Sequence, residues 1–370
     1  WYKMNKIIKE DIETIAKDIM PEAKKFSGKT VLITGGAGFL GQYFISVLDY
    51  LNKNTFEKPC KIISADNFIT GVKYWVKESE TFRAIKHNVK DPLTINEPIH
   101  FIIHAAGIAS PKFYRIYKIE TIDVATLGTK NMLELAKEKK VESMVVFSSS
   151  EVYGDPDPRF IPTPETYNGN VSCTGPRSNY DESKRLSEAL SRAYYETYNI
   201  PVKLIRPFNA YGPGIRLDDA RVIPNFVSFA LEGKPIPVYG LGNHTRTFCY
   251  ITDAMTGFFK VLLSTYEGES FNVGDDNFEV SITELANITK EVLKEHNGSI
   301  IEVAHVQGMN DAYASADPKR RCPDLTKVKS KTGYSPKVDI KTGVKRFLIW
   351  AEEEIKKWKL SYFAVEKVQD

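Results

Sequence analysis

Two stretches of this chain carry residue types at spacings suited to moving protons. The first, V-V-F-S-S-S-E-V-Y-G-D-P from Val145, reads as a buried strand over Met144 to Phe147 that runs out into a polar turn at Ser148, Ser149, Ser150 and Glu151. The second, Y-D-E-S-K-R, sets Tyr180 and Lys184 one helical turn apart on a single face. A phenol ionises near ~10, so acting as a base at neutral pH demands a fall to near 7, about 4 kcal/mol. A lysine one turn along favours the phenolate.

The elements that must position these groups begin with K-T-V-L-I-T-G-G-A-G-F-L-G. Val31 to Ile33 predicts a short strand, and Leu40 to Leu51 the helix after the glycines. A G-x-x-G-x-x-G run between a strand and a helix is a dinucleotide-binding turn. Gly35 permits the tight turn, Gly38 lets the backbone approach a pyrophosphate, and Gly41 lets helix and strand pack closely. The phosphates then meet the helix start at Phe39 and Leu40. The next strand, Lys61 to Ala65, ends in Asp66 with Asn67 behind it. An acid there accepts from the ribose hydroxyls and repels a 2′-phosphate, which selects NAD over NADP.

Further strands are expected at Ile99 to His104 and Val202 to Ile205, with helices at Asn131 to Lys140 and Tyr180 to Tyr198. Strand alternating with helix predicts an α/β fold, a Rossmann-type doubly wound parallel sheet covered on both faces. Ligands of such sheets sit at the carboxyl ends of the strands. The glycine turn, Asp66, His104 to Gly107 and Ser148 to Glu151 all fall there. His104 itself reads as a packed, hydrogen-bonded residue rather than a catalytic one.

The expected organisation has an amphipathic helical extension over 1–25, packed on the domain or on a subunit partner. The NAD-binding unit covers 26–207, with 244–270 returning to it, and a smaller interleaved C-terminal lobe for substrate covers 208–243 and 271–370. Trp1, Tyr2 and Lys3, ahead of Met4, read as an artificial addition. A net charge of +3 with 26% charged residues leaves no basic face for nucleic acid. No apolar run approaches a membrane span and no signal-peptide pattern opens the chain. Cys60, Cys173, Cys249 and Cys322 lack metal-ligand spacing and read as reduced thiols of a cytoplasmic protein, with no metal site.

With these residues, the chain resembles the extended short-chain dehydrogenase/reductase family over roughly residues 28 to 350. Within that family A-S-P at 109–111, S-S-S-E-V-Y-G-D-P at 148–156, G-P-R-S-N-Y-D-E-S-K-R at 175–185 and T-R-T-F-C-Y-I-T-D at 245–253 are most similar to UDP-glucuronate decarboxylases. The resemblance implies a bound NAD, a UDP-sugar substrate and a homodimer. It further implies that Tyr180, with Lys184 and the positive nicotinamide ring lowering its pKa, takes the proton of the C4 hydroxyl as C4 is oxidised. The C6 carboxylate is then β to a ketone and leaves as carbon dioxide. Re-reduction at C4 gives UDP-xylose with no net oxidation.

Related 4,6-dehydratases carry Asp-Glu where this chain has Ser150-Glu151, and 4-epimerases lack the Glu. A decarboxylase needs no acid there, and a second carboxylate would repel the substrate's own. By the same resemblance Glu151 manages protonation at C5 or positions the ring, and Arg246 pairs with the substrate carboxylate. Ser110, Pro111 and Asn209 meet the sugar or diphosphate, Arg221 and Tyr239 flank the UDP, and Arg321 clamps the diphosphate. Tyr180 and Lys184 also touch the cofactor. Asn88 stands where the family has an adenine-binding Asp, and Ala125 where it has an Asn. The rival readings are a nucleotide-sugar 4,6-dehydratase or UDP-glucuronate 4-epimerase on the same scaffold, and an NAD-binding regulator without catalysis.

Overall fold

The computed structural model describes residues 4–307 and 317–366; Trp1 to Lys3 lie outside them. Seven parallel strands form the central sheet: β1 (Thr30–Thr34), β2 (Lys61–Asp66), β3 (Phe82–Lys86), β4 (Phe101–His104), β5 (Ser143–Phe147), β6 (Val202–Pro207) and an edge strand, Ser270–Val273. Their order is edge strand–β6–β5–β4–β1–β2–β3. The order reverses between β1 and β4, and that switch point opens a crevice at the carboxyl ends.

The apolar runs sort by period two. Val31 and Ile33 join Ile103, Val145 and Phe147 in a core on one face. Leu32, Ile102, Met144 and Val146 pack on the other with Met132 and Leu133. Burial on both faces explains why these strands read as continuous hydrophobic runs.

Two strands of the central sheet escaped the sequence reading. β3, F-R-A-I-K, lies on an edge with half-exposed and charged residues, a composition that guards a free edge but hides the strand signal. Phe271–Val273 pair with Ile205–Pro207, so the return to the sheet runs to 273 rather than stopping at 270.

The N-terminal extension forms the helix Lys6–Asp18, capped by Asn5, and it packs on the domain. Its apolar stripe of Ile8, Ile12, Ile15 and Ala16 is buried against the helices Phe39–Asn54 and Ile251–Leu263. Asp11, buried on the same helix, accepts from Tyr250 at 2.9 Å and pairs with Arg346 at 2.8 Å. Small sheets complete the remaining residues: Ile236–Tyr239 beside Val303–Val306, and Thr245–Thr247 between Glu279–Ser281 and Arg320–Arg321. In the latter, Arg246 and Arg321 are direct register partners.

Candidate active site

The glycine turn is built on close backbone approach. Gly35 has φ +73°, and a Cβ there would come within 2.7 Å of the Ala106 backbone. A Cβ on Gly41 would meet the Gly35 carbonyl at 2.3 Å, so this glycine packs the helix on the loop itself rather than on the strand. The helix Phe39–Asn54 starts at Gly38 without a side-chain cap. Its first N–H groups are thus left for an anion.

Asp66 accepts from Ala37 N at 3.0 Å and from Phe68 N at 2.7 Å, tying the glycine loop to the turn after β2. Burial raises its pKa against those two hydrogen bonds. A carboxylate offers about four acceptor sites, so about two stay open for ribose hydroxyls. The crevice, about 1160 Å³ and open to solvent, is lined by the glycine loop with Phe39 and Leu40, by Asp66 and Asn67, by Ser110, and by Arg221. Ser110 Oγ is buried without a hydrogen-bond partner, an atom that a ligand would satisfy. Pro111 starts the short helix Pro111–Tyr114. Together these features suit a dinucleotide.

Asn88 does not line the crevice, although its neighbours His87 and Val89 do. Its side-chain oxygen accepts from Lys90 N at 3.2 Å in a local turn. At Ala125 the helix opens into a π turn, Val124–Gly128. The Ala125 carbonyl takes hydroxyl donors from Ser187 and Thr129, each at 2.6 Å.

The proton-handling group forms where β5 meets the helix Ser178–Tyr198. Lys184 Nζ donates to the Phe147 carbonyl at 2.7 Å and lies 5.9 Å from the Tyr180 ring centre. Burial lowers the Lys184 pKa to about 8. The Tyr180 ring stacks on Tyr114, 4.9 Å between centroids and 13° from parallel. Its hydroxyl hydrogen-bonds Ser149.

The three serines therefore part company. Ser148 donates to Glu188, which holds Arg206. Ser149 serves the phenol, and Ser150 is buried at the start of the turn Ser150–Tyr153. Ser149 is a site residue that the sequence reading did not single out; the run of serines at a strand end was its only signal.

The expected depression of Tyr180 is not found in the protein alone. Burial pushes the phenol up to about 12, outweighing the lowering by Ser149 and Arg221, while Glu151 also raises it. The desolvation cost of a buried anion wins until another positive charge enters. His104 is packed as expected: its Nδ1 lies 2.7 Å from Thr34 Oγ1, and burial lowers it to about 3.

Three buried arginines gather next to this group. Glu151 accepts from Arg177 at 2.6 Å and from Arg321 at 2.9 Å. Arg246 pairs with Asp317 at 2.6 Å and donates to the carbonyls of Thr245, Pro318 and Lys319. Arg177 reaches Asp317 at 3.2 Å and Asp181 at 3.7 Å. Arg321, expected at the diphosphate, thus lies against Glu151, and Arg246, expected open to a substrate carboxylate, already holds one. Arg177 and Asp317 were not anticipated, because their partners are remote in sequence.

Asn209, at φ +42°, donates to Thr247 O at 2.8 Å, and its oxygen lies 3.5 Å from Arg321. Arg221 forks onto Asp219 at 2.9 and 3.0 Å. Tyr239 is half exposed at its strand end and does not line the crevice. Among the described residues no group of side chains is arranged to hold a metal, and no helix is long and apolar enough to cross a membrane.

Comparison with known proteins identifies the family. Residues 31–274 match the NAD dependent epimerase/dehydratase family. UDP-glucuronic acid decarboxylase 5 of Arabidopsis thaliana is 38% identical over 322 residues, 86% of this chain and 88% of that protein. UDP-glucuronic acid decarboxylase 1 of Xenopus tropicalis is 34% identical over an alignment of 370, covering 95% of this chain and 82% of that protein. Among solved structures, an epimerase from Methanothermobacter thermautotrophicus superposes with a TM-score of 0.77 at 26% identity, over 92% of this chain and 96% of that one. The dTDP-glucose 4,6-dehydratase of Streptomyces venezuelae, solved with NAD bound, gives 0.73 at 25%, over 88% and 97%. With residues 31–274 matching that family and relatives of 34–38% identity along most of its length, the chain belongs to the NAD dependent epimerase/dehydratase family, and its cofactor is NAD.

Proposed function

We propose that this protein converts UDP-glucuronate to UDP-xylose by oxidation at C4, loss of C6 as carbon dioxide and re-reduction at C4. The observation that carries the reading is the set of buried arginines around Glu151, set beside the Tyr180 phenol. A sugar carboxylate can take guanidinium donors in bidentate geometry, a contact that a neutral hexose lacks. The decarboxylase relatives support the same substrate.

NAD, when bound, would supply the hydride chemistry, taking hydride from the sugar C4 and returning it there, and its positive ring would favour the phenolate. Tyr180 takes the C4 hydroxyl proton, with Ser149 sharing the hydrogen bond. Lys184, anchored on the Phe147 carbonyl, keeps its ammonium beside them. Arg246 holds the C6 carboxylate. Once C4 is a ketone the carboxylate is β to it, carbon dioxide leaves, and the resulting enolate is protonated at C5 next to Glu151. Ser150 stands where a dehydratase carries its acid, so no carboxylic acid is supplied from that position to expel a C6 group. Ser110, Pro111, Asn209, Arg221, Tyr239 and Arg321 serve the nucleotide and sugar.

Two copies pair through the helix that bears Tyr180. Ile119, Leu127 and Leu186 are exposed on this helix and its neighbour, an apolar face suited to a two-fold mate. Four unpaired cysteines accord with a cytoplasmic setting.

Incubation with UDP-glucuronate, with and without added NAD, followed by mass spectrometry of the products, tests the reading. Loss of carbon dioxide with formation of a UDP-pentose is expected. UDP-glucuronate recovered unchanged in mass, with its 4-epimer present, would replace decarboxylation by epimerisation. Turnover of a hexose by dehydration would favour the dehydratase reading.

A further inference from the structure

Asp317 sits differently from the other members of the arginine group. Its carboxylate pairs with Arg246 at 2.6 Å and with Arg177 at 3.2 Å, and it lies 3.8 Å from Arg321. The three guanidiniums are nine-tenths or more buried, yet the Asp317 side chain is 38% exposed. It closes the group on its solvent side. Arg246 and Arg321 are register partners on neighbouring strands, so two like charges stand together and require an anion between or beside them. Glu151 pairs directly with Arg177 and Arg321, whereas among the described residues the carboxylate in direct ion-pair contact with Arg246 is Asp317.

We infer that Asp317 is an internal counter-ion which the substrate carboxylate displaces from Arg246, so that this aspartate sets how strongly the site prefers a sugar acid over a neutral sugar. The inference rests on the proposed decarboxylase reading. Its physical basis is that two carboxylates cannot share the same guanidinium donors in a buried site without strong repulsion. A sugar carboxylate must take over the Arg246 donors, and Asp317, already facing solvent, is the partner able to leave. Burial opposes the Asp317 charge, but Arg246, Arg321 and Arg177 more than offset it and hold its pKa below the usual range. The displaced anion is therefore a real competitor. A neutral sugar leaves the Arg246–Asp317 pair closed. When carbon dioxide departs, Asp317 can return and re-neutralise the group behind the product.

The test compares Asp317→Asn, which keeps the shape, with Asp317→Glu, which keeps the charge. Calorimetric dissociation constants are measured for UDP-glucuronate, UDP-glucose and UDP on the NAD-loaded protein. Asp317→Asn is expected to bind UDP-glucuronate about tenfold more tightly, since one competing ion pair is removed, with UDP and UDP-glucose changed less than about twofold. Asp317→Glu is expected to show no such gain. If Asp317→Asn left UDP-glucuronate binding unchanged, or if both variants weakened all three ligands alike, Asp317 would be a packing residue and the inference would be overturned. Wild-type protein that prefers UDP-glucuronate no more than UDP-glucose would instead sink the decarboxylase reading beneath it.

Discussion

Lys184 Nζ donates to the carbonyl of Phe147 at 2.7 Å, so the last residue of β5 fixes the ammonium 5.9 Å from the centre of the Tyr180 ring. The contact makes the strand end and the helix one unit. It also explains why Lys184 stays next to the phenol although burial lowers its pKa to about 8. As pH rises through that value the ammonium is lost, and kcat/KM should decline above about pH 8. A profile flat to pH 10 would show that the charge is not required.

Tyr180→Phe keeps the stack on Tyr114 and removes the hydroxyl. NAD affinity should change little, while turnover of UDP-glucuronate should fall by about 10²–10⁴-fold, the usual worth of a positioned acid or base. Cofactor titration beside a product assay separates the two effects.

Asp66→Ala removes the acceptor expected for the ribose and frees the N–H groups of Ala37 and Phe68. NAD should bind on the order of ten- to a hundredfold more weakly, and the discrimination against NADP should shrink with loss of the repelling charge. Fluorescence titration with each cofactor gives the ratio. An unchanged ratio would remove Asp66 from cofactor selection.

Arg246→Ala should weaken UDP-glucuronate binding by about tenfold or more, with UDP nearly unaffected. Equal weakening of both ligands would show that Arg246 supports the lobe and does not read the sugar acid. Asp317 would be left without its shortest partner, so a lower melting temperature is also expected.

His104 is buried and held neutral, its pKa lowered from 6.5 to about 3 by burial and then by Lys184. Between those values the unfolded chain binds a proton that the folded one refuses. The stability is therefore complete above pH 6.5 and is lost as pH falls toward 3. Wild type should lose about 3 kcal/mol more than His104→Gln between pH 7 and pH 4. Urea unfolding at the two values measures the difference, and equal losses would contradict a neutral buried imidazole.

How much of this was legible before the structure depends on the range of each interaction. The Tyr180–Lys184 spacing, the glycine turn and the strand ending in Asp66 are local, set by helix and strand periods over a few residues. The N-terminal helix was legible from its isoleucines for the same reason, and Ile8, Ile12 and Ile15 are indeed buried. β3 was not legible because its exposed, charged residues hide the strand signal, and Ser270–Val273 because four residues are too few to show a period before the sheet supplies a partner.

The sequence by itself determined the five inner strands of the sheet, the glycine loop and the helical spacing of phenol and ammonium, since backbone geometry and side-chain periodicity carry that information along short stretches. Tertiary structure alone decided which serine serves Tyr180, that burial raises the phenol rather than lowering it, and that Arg177, Arg246 and Arg321 converge on Glu151 and Asp317. Desolvation and charge pairing depend on which remote segments exclude water together, and no local pattern specifies that.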